Sequence, residues 1–191
     1  MSKAEINHVT RENAEQHLRA INAEASMLCK LCMDMLSTTS DFMFNQTSPT
    51  SATGQVELNH IERLRDFEKF MINERARLEN FGTNKPPEDL RDNLKDAYEL
   101  ERKLSETYND PEKFKKTCKE IVNYINGLLE DIDLAYSEFL KAYEGLPSNN
   151  GILSDESINE AEANDDWANT IGNNLKNLEK ILEPSSETEP A

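Results

Sequence analysis

The feature that most constrains this chain is the regular spacing of apolar residues in two long stretches. From Ala14 to Phe42, with a break at Thr39, and from Phe114 to Ala142, apolar residues recur at alternating intervals of four and three positions. An α-helix turns once in about 3.6 residues, so this spacing places the apolar side chains on one narrow stripe of each helix. Each stretch would form a rod about 43 Å long. Equal lengths favour side-by-side packing of the two helices.

A narrow apolar stripe requires cover from another helix, which makes the stripe residues candidates for contact with partner chains. Two such helices can cover each other within one chain, or each can pair with a helix of a different protein. The low glycine content and the long stripes favour the second arrangement. The candidate interface residues are Leu18, Ile21, Leu28 and Met35 in the first stretch, and Ile121, Ile125, Leu128, Ile132 and Phe139 in the second.

Start and stop signals divide the chain into four long helices and a weaker fifth. The predicted helices cover residues 10–44, 56–81, 87–108, 111–145 and 155–182. Asp110 is suited to cap the fourth helix and Pro111 to open it, because proline lacks the N–H that a first helical position leaves unpaired. The third helix carries one charged residue, Glu101, in its apolar stripe. The sequence therefore predicts an all-α protein, an elongated helical bundle or coiled coil.

The composition changes after residue 147, which gives the predicted domain boundaries. We expect a helical bundle over residues 1–147, an acidic region with an amphipathic helix over 148–183, and a disordered tail over 184–191. The fifth helix would present Ile158, Trp167, Ile171, Leu175, Leu178 and Leu182 on one face. Trp167, Ile171, Leu175 and Leu178 complete the candidate interface residues. Whether this helix packs on the bundle or on another chain stays open at this stage.

Charge and cysteine content exclude several classes of protein. The 37 acidic residues outnumber the 21 basic ones, and the net charge of −16 disfavours direct binding to nucleic acid or an anionic membrane. No run of 18 apolar residues is present, so we expect no membrane span. The N-terminal residues lack the pattern of a signal peptide, and three cysteines do not form a disulfide framework. We therefore expect an intracellular protein of the cytoplasm or nucleus.

The sequence contains no recognisable catalytic or cofactor motif. Cys29 and Cys32 have the spacing of half a zinc site, but Cys118 and three isolated histidines do not supply a second ligand pair. Cys32 also belongs to the apolar stripe, where a small apolar residue is the simpler interpretation. No glycine-rich phosphate loop occurs. We therefore predict a non-enzymatic protein without a metal site, a catalytic residue or a cofactor.

These patterns lead to one functional hypothesis and one alternative. The hypothesis is a structural subunit of an intracellular complex built with other helical or coiled-coil subunits, with the acidic C-terminal segment as a docking element. Kinetochore and spindle complexes, vesicle-tethering complexes and transcription co-regulators are assemblies of this type, and the sequence does not choose among them. The alternative is a self-contained four-helix bundle that acts as an adaptor or regulatory binding module.

Overall fold

Four α-helices make up most of the described structure, which is a computed structural model. Residues 9–47, 88–147 and 151–183 are described, together with positions 62, 65, 66, 69, 72 and 73. The helices are α1 (Ala14–Thr47), α2 (Glu88–Thr107), α3 (Pro111–Glu144) and α4 (Asp155–Leu182). No strand occurs within these ranges. The protein is all-α, as the spacing of its apolar residues predicts.

The local sequence explains where α3 and α4 begin. The side chain of Asp110 accepts a hydrogen bond of 3.2 Å from the backbone N–H of Lys113, and Pro111 follows it. The prediction of this cap is confirmed. Ser154 caps α4 in the same way, because its hydroxyl oxygen accepts a hydrogen bond of 3.2 Å from the backbone N–H of Ser157. Such caps satisfy backbone N–H groups that have no partner inside the helix.

Most predicted helices agree closely with the observed ones. The first predicted helix begins four residues earlier than α1, and the third and fourth differ from α2 and α3 by one residue at the ends. The fifth coincides with α4. The predicted helix over 56–81 lies largely outside the described residues, although the six positions described between 62 and 73 are helical. The predicted disordered tail over 184–191 also lies outside them.

The four helices form a bundle in which α3 is antiparallel to the other three. Two contacts show that α1 and α3 are antiparallel. Asn22, in the first half of α1, contacts Tyr136 near the end of α3. Phe42, near the end of α1, and Phe114, at the start of α3, both pack against Tyr108. The hydroxyl group of Tyr124 on α3 donates to the backbone carbonyl of Asn93 on α2. Helix α1 contacts each of the other three helices, as does α3.

The burial of α1 extends beyond the narrow stripe that its heptad spacing predicts. Between Ile21 and Thr39 nearly every residue is buried or half-buried, including Ala23, Met27 and Thr38, which lie off the stripe. The expectation of a narrow stripe is wrong for this helix, because three helices surround it instead of one. Small and uncharged polar residues between the stripe positions allow this close approach.

Substitution of a central core residue tests whether the stripes close within the chain. Ile125 of α3 is fully buried, so Ile125→Asp places an unpaired charge in the core. We expect a loss of about 4 kcal/mol or more in the free energy of unfolding, with loss of helicity in the isolated chain. The measurement is urea unfolding followed by circular dichroism. The control is Leu134→Asp at a position 52% exposed, expected to change stability by about 0.5 kcal/mol or less.

An Ile125→Asp chain that keeps native helicity and near-native stability would show that this position is not in an internal core.

Candidate functional site

The candidate interface residues lie mainly inside the bundle. Eleven of them are buried among helices of the same chain: Leu18, Ile21, Met35, Ile121, Ile125, Leu128, Ile132, Phe139, Ile171, Leu175 and Leu178. Leu28 and Trp167 are half-buried and pack against the main core cluster. The structure brings the stripes of α1, α3 and α4 together in two clusters: Leu18, Ile21 and Phe139 belong to the smaller one, and the other buried candidates belong to the main one. Contact of the buried residues with another chain would require the bundle to open.

The buried face of α4 differs in its first half from the predicted one. The prediction places Ile158 and Trp167 on this face, but Ile158 is 38% exposed and Trp167 is half-buried. Instead, Ser157 and Asn164 are buried, seven residues apart, and Ile171 continues the same spacing. Two polar residues thus occupy positions that the heptad pattern reserves for apolar ones. A prediction based on apolar residues alone cannot find them.

Asn164 is the centre of a buried hydrogen-bond network that joins three helices. Its amide nitrogen donates to the backbone carbonyl of Asn22 at 3.0 Å and to the hydroxyl oxygen of Tyr136 at 3.1 Å. Its side-chain oxygen accepts a bond of 3.1 Å from the hydroxyl of Ser26. Tyr136 in turn donates to the side-chain oxygen of Asn22 at 2.7 Å. Each amide group therefore has partners, and the network holds α4 against α1 and α3.

Glu15 of α1 makes a second set of polar contacts at the start of α4. Its carboxylate accepts hydrogen bonds from the hydroxyls of Ser154 and Ser157, and a bond of 2.9 Å from the backbone N–H of Ser154. Arg19 donates to the same carboxylate at 2.8 Å. A negative charge at a helix N-terminus is also favoured by the helix dipole. Glu15 thereby fixes the first turn of α4 on α1.

These contacts lower the pKa of Glu15. Partial burial acts to raise the pKa, but hydrogen bonds from Ser154, Ser157 and Arg19 outweigh it, and the pKa falls from 4.5 to about 2. The charged form is thus stabilised in the folded protein. Because the folded-state pKa lies below the ordinary value, the contribution to stability is complete above pH 4.5. It is lost as the pH falls towards 2.

The substitution Glu15→Gln tests this contact through its pH dependence. We expect the variant to lose about 2 kcal/mol of unfolding free energy at pH 7, because it loses charged hydrogen bonds. The difference from the native protein should stay constant above about pH 5 and shrink between about pH 4.5 and pH 2. Urea unfolding at a series of pH values measures it. Glu12→Gln at a nearby exposed position is the control, and a difference that does not vary with pH would contradict the assignment.

The three cysteines are free and buried. Burial raises the pKa of Cys29 and of Cys118 to about 12, and it raises the pKa of Cys32 further. The thiolate is the form that attacks electrophiles and binds metals, so these thiols are poorly suited to either role in the closed bundle. Cys29 directs its sulfur towards the backbone carbonyl of Asn164 at 3.9 Å. The apolar interpretation of this pair agrees with its placement in the core.

Thiol labelling measures how tightly this core is closed. With a disulfide reagent at pH 8, we expect the cysteines of the native protein to react at least about a hundredfold more slowly than those of the unfolded chain, because reaction requires opening of the bundle. Rapid labelling of Cys32 under native conditions would contradict its burial.

Two kinds of side-chain cluster could mark a binding site: possible metal ligands and the lysines at the start of α3. Among the residues that the structure describes, no group of three or more histidine, cysteine, aspartate or glutamate side chains could hold a metal ion. A lysine cluster at the start of α3 is exposed at Lys113, Lys115 and Lys116, while Lys119 pairs with Glu183 at 3.1 Å. Lys113 lies 3.8 Å from Asp110. These are surface ion pairs of modest strength.

An open groove of about 240 Å³ separates parts of α3 and α4. One end lies at the hydrogen bond between Tyr136 and Asn164, and the other lies near a bond of 3.0 Å from the amide of Asn126 to Glu179. Between them, the groove has an apolar floor and a charged rim. The apolar lining consists of Leu129, Ile132, Ala168 and Gly172, the charged lining of Asp133, Asp165 and Lys176, and the remaining polar lining of Tyr136, Asn169 and Asn173. The groove thus brings apolar and charged side chains of α3 and α4 to one surface.

Comparison of the chain with protein-family models, with curated proteins and with solved structures gave no match. None of the described helices combines the length and the apolar character needed to cross a membrane.

Proposed function

We propose that this protein is a non-enzymatic binding module, a self-contained helical bundle that joins an intracellular multi-protein assembly through its outer surface. The observation that carries the proposal is the covering of the apolar stripes of α1 and α3 by helices of the same chain. Because these stripes are covered, the exposed residues are the ones that can contact other proteins. The three free cysteines support an intracellular setting, where thiols stay reduced.

The outer surface supports binding through its charge and its groove. Helix α4 carries seven acidic and two basic side chains, so it presents a strongly negative face. The described residues include several large exposed apolar side chains, among them Leu134, Leu140 and Ile181. Single residues of this kind are ordinary on protein surfaces. The groove between α3 and α4 is different, because apolar and charged groups lie together there.

A second candidate is the structural subunit whose stripes pair with helices of other proteins in an elongated coiled coil, as in kinetochore, tethering or co-regulator complexes. It requires Ile21, Ile125 and other buried residues to leave the core. One observation favours it. The contact of α4 with α1 is made partly by polar groups, namely Glu15, Ser157 and Asn164, so a partner helix that carried matching polar groups could take the place of α4.

The mass and folding of the purified chain separate these two candidates. We expect a monomer of 21.8 kDa by light scattering across a roughly twentyfold range of concentration, with native helicity and a cooperative thermal transition. The physical reason is that its apolar stripes are already covered. A chain that is unfolded alone, or that forms an oligomer which dissociates only on unfolding, would contradict the self-contained module and favour the shared coiled coil.

A photo-reactive residue at Leu140 or Ile181 tests surface contact in cells. Discrete cross-linked products with other proteins are expected from at least one of these exposed positions. A photo-reactive residue at Leu178, which is buried, is the control and should give no such product.

A further inference from the structure

We propose that the groove between α3 and α4 binds a basic amphipathic segment of a partner protein, with an arginine or lysine side chain placed against Asp133 and Asp165. This inference rests on the proposed function, because it names the partner chemistry that the binding module would recognise. The groove supplies an apolar floor for the stem of the long side chain and carboxylates for its charged end.

The floor of the groove is open because α4 has a glycine at position 172. A glycine inside a helix costs about 1 kcal/mol relative to alanine. A Cβ atom at Gly172 would meet the Cδ1 atom of Leu129 at 3.9 Å, which is an ordinary van der Waals distance. Packing of α4 against α3 therefore does not require the glycine. Its missing side chain instead keeps the floor free between Leu129 and Ala168.

The charge around the groove selects a cationic occupant. Asp133 and Asp165 are both exposed on the rim of the groove. The charged residues close to each of them in the sequence are mainly acidic. From position 129 to 144, α3 carries five acidic residues and one lysine. Nucleic acid or another acidic surface would be repelled, whereas a basic segment would be attracted before contact.

The two ends of the groove differ in charge, because Lys176 is the one basic residue among the lining residues. Lys176 lies eleven positions after Asp165, so the two are about 16 Å apart along α4. Asp165 lies next to the contact between Tyr136 and Asn164, and Lys176 lies towards the contact between Asn126 and Glu179. A bound segment would thus place its basic residue at the first end and an acidic or amide residue about three helical turns away. This polarity fixes the orientation of the partner.

The test uses the full chain and a synthetic alanine-based helical peptide with leucine and arginine along one face. A matched peptide has glutamate in place of arginine. In nuclear magnetic resonance spectra of the ¹⁵N-labelled protein, we expect the arginine peptide to shift amide signals of residues 129–136 and 165–176. The glutamate peptide should leave them unchanged. Binding should weaken with added salt, because the rim charges are screened.

Two kinds of variant examine the groove independently. Gly172→Leu fills the floor, and the double variant Asp133→Asn with Asp165→Asn removes the rim charges. Each is expected to weaken binding of the arginine peptide at least about tenfold. Matched controls are Gly127→Leu, at a position where a Cβ would meet nothing within 4 Å, and Glu130→Gln with Glu138→Gln, which changes net charge equally. The controls should bind within about twofold of the native protein.

Each alternative outcome has a defined meaning. Equal binding of both peptides, absence of shifts in the groove, or full affinity in the charge-removing double variant would overturn the proposal. Binding of the arginine peptide elsewhere on the folded monomer would also overturn it but would leave the proposed function intact. Failure of the proposed function itself would appear separately, as an unfolded or obligately oligomeric chain in light scattering.

Discussion

The position of α4 in this bundle depends on the buried side chain of Asn164. Its amide uses both of its N–H groups and its oxygen in bonds to α1 and α3. A shift of α4 by one turn would separate these groups and bury them without partners, at about 1–3 kcal/mol for each. Apolar contacts alone tolerate such shifts more easily. A polar residue at one core position is a recognised way to fix the register of packed helices.

The positions of the helices and the inner face of α3 could be predicted well from the sequence, because heptad spacing and caps are local signals. The stripe of α3 and its cap at Asp110 agree closely with the structure. The burial of α1 on every side was not predicted, although a signal exists. Between positions 20 and 40 the only charged residues are Glu24, Lys30 and Asp34. A helix with so few charges is suited to the middle of a bundle.

The polar part of the core and the groove were beyond prediction from sequence. Asn164 resembles a surface residue until Asn22, Ser26 and Tyr136 are seen beside it, and these partners lie far away in the chain. The neighbouring Ile158 and Trp167 therefore appeared to be better core residues. The groove likewise arises from two helices together, since neither the glycine of α4 nor the acidic residues of α3 form a surface alone. The covered stripes support the proposed function, and the groove supports the inference about the partner's chemistry.

The long separation of α1 and α4 in the sequence has a consequence for the order in which their contacts form. Hydrogen bonds between these helices join residues 135 to 142 positions apart. On the ribosome, α1 (Ala14–Thr47) emerges before α4 (Asp155–Leu182), the helix that covers its polar side. Until then, Asn22 and Ser26 stay hydrated, and final closure waits for the C-terminal helix. A nascent chain thus has a long interval in which its first helix is accessible to chaperones.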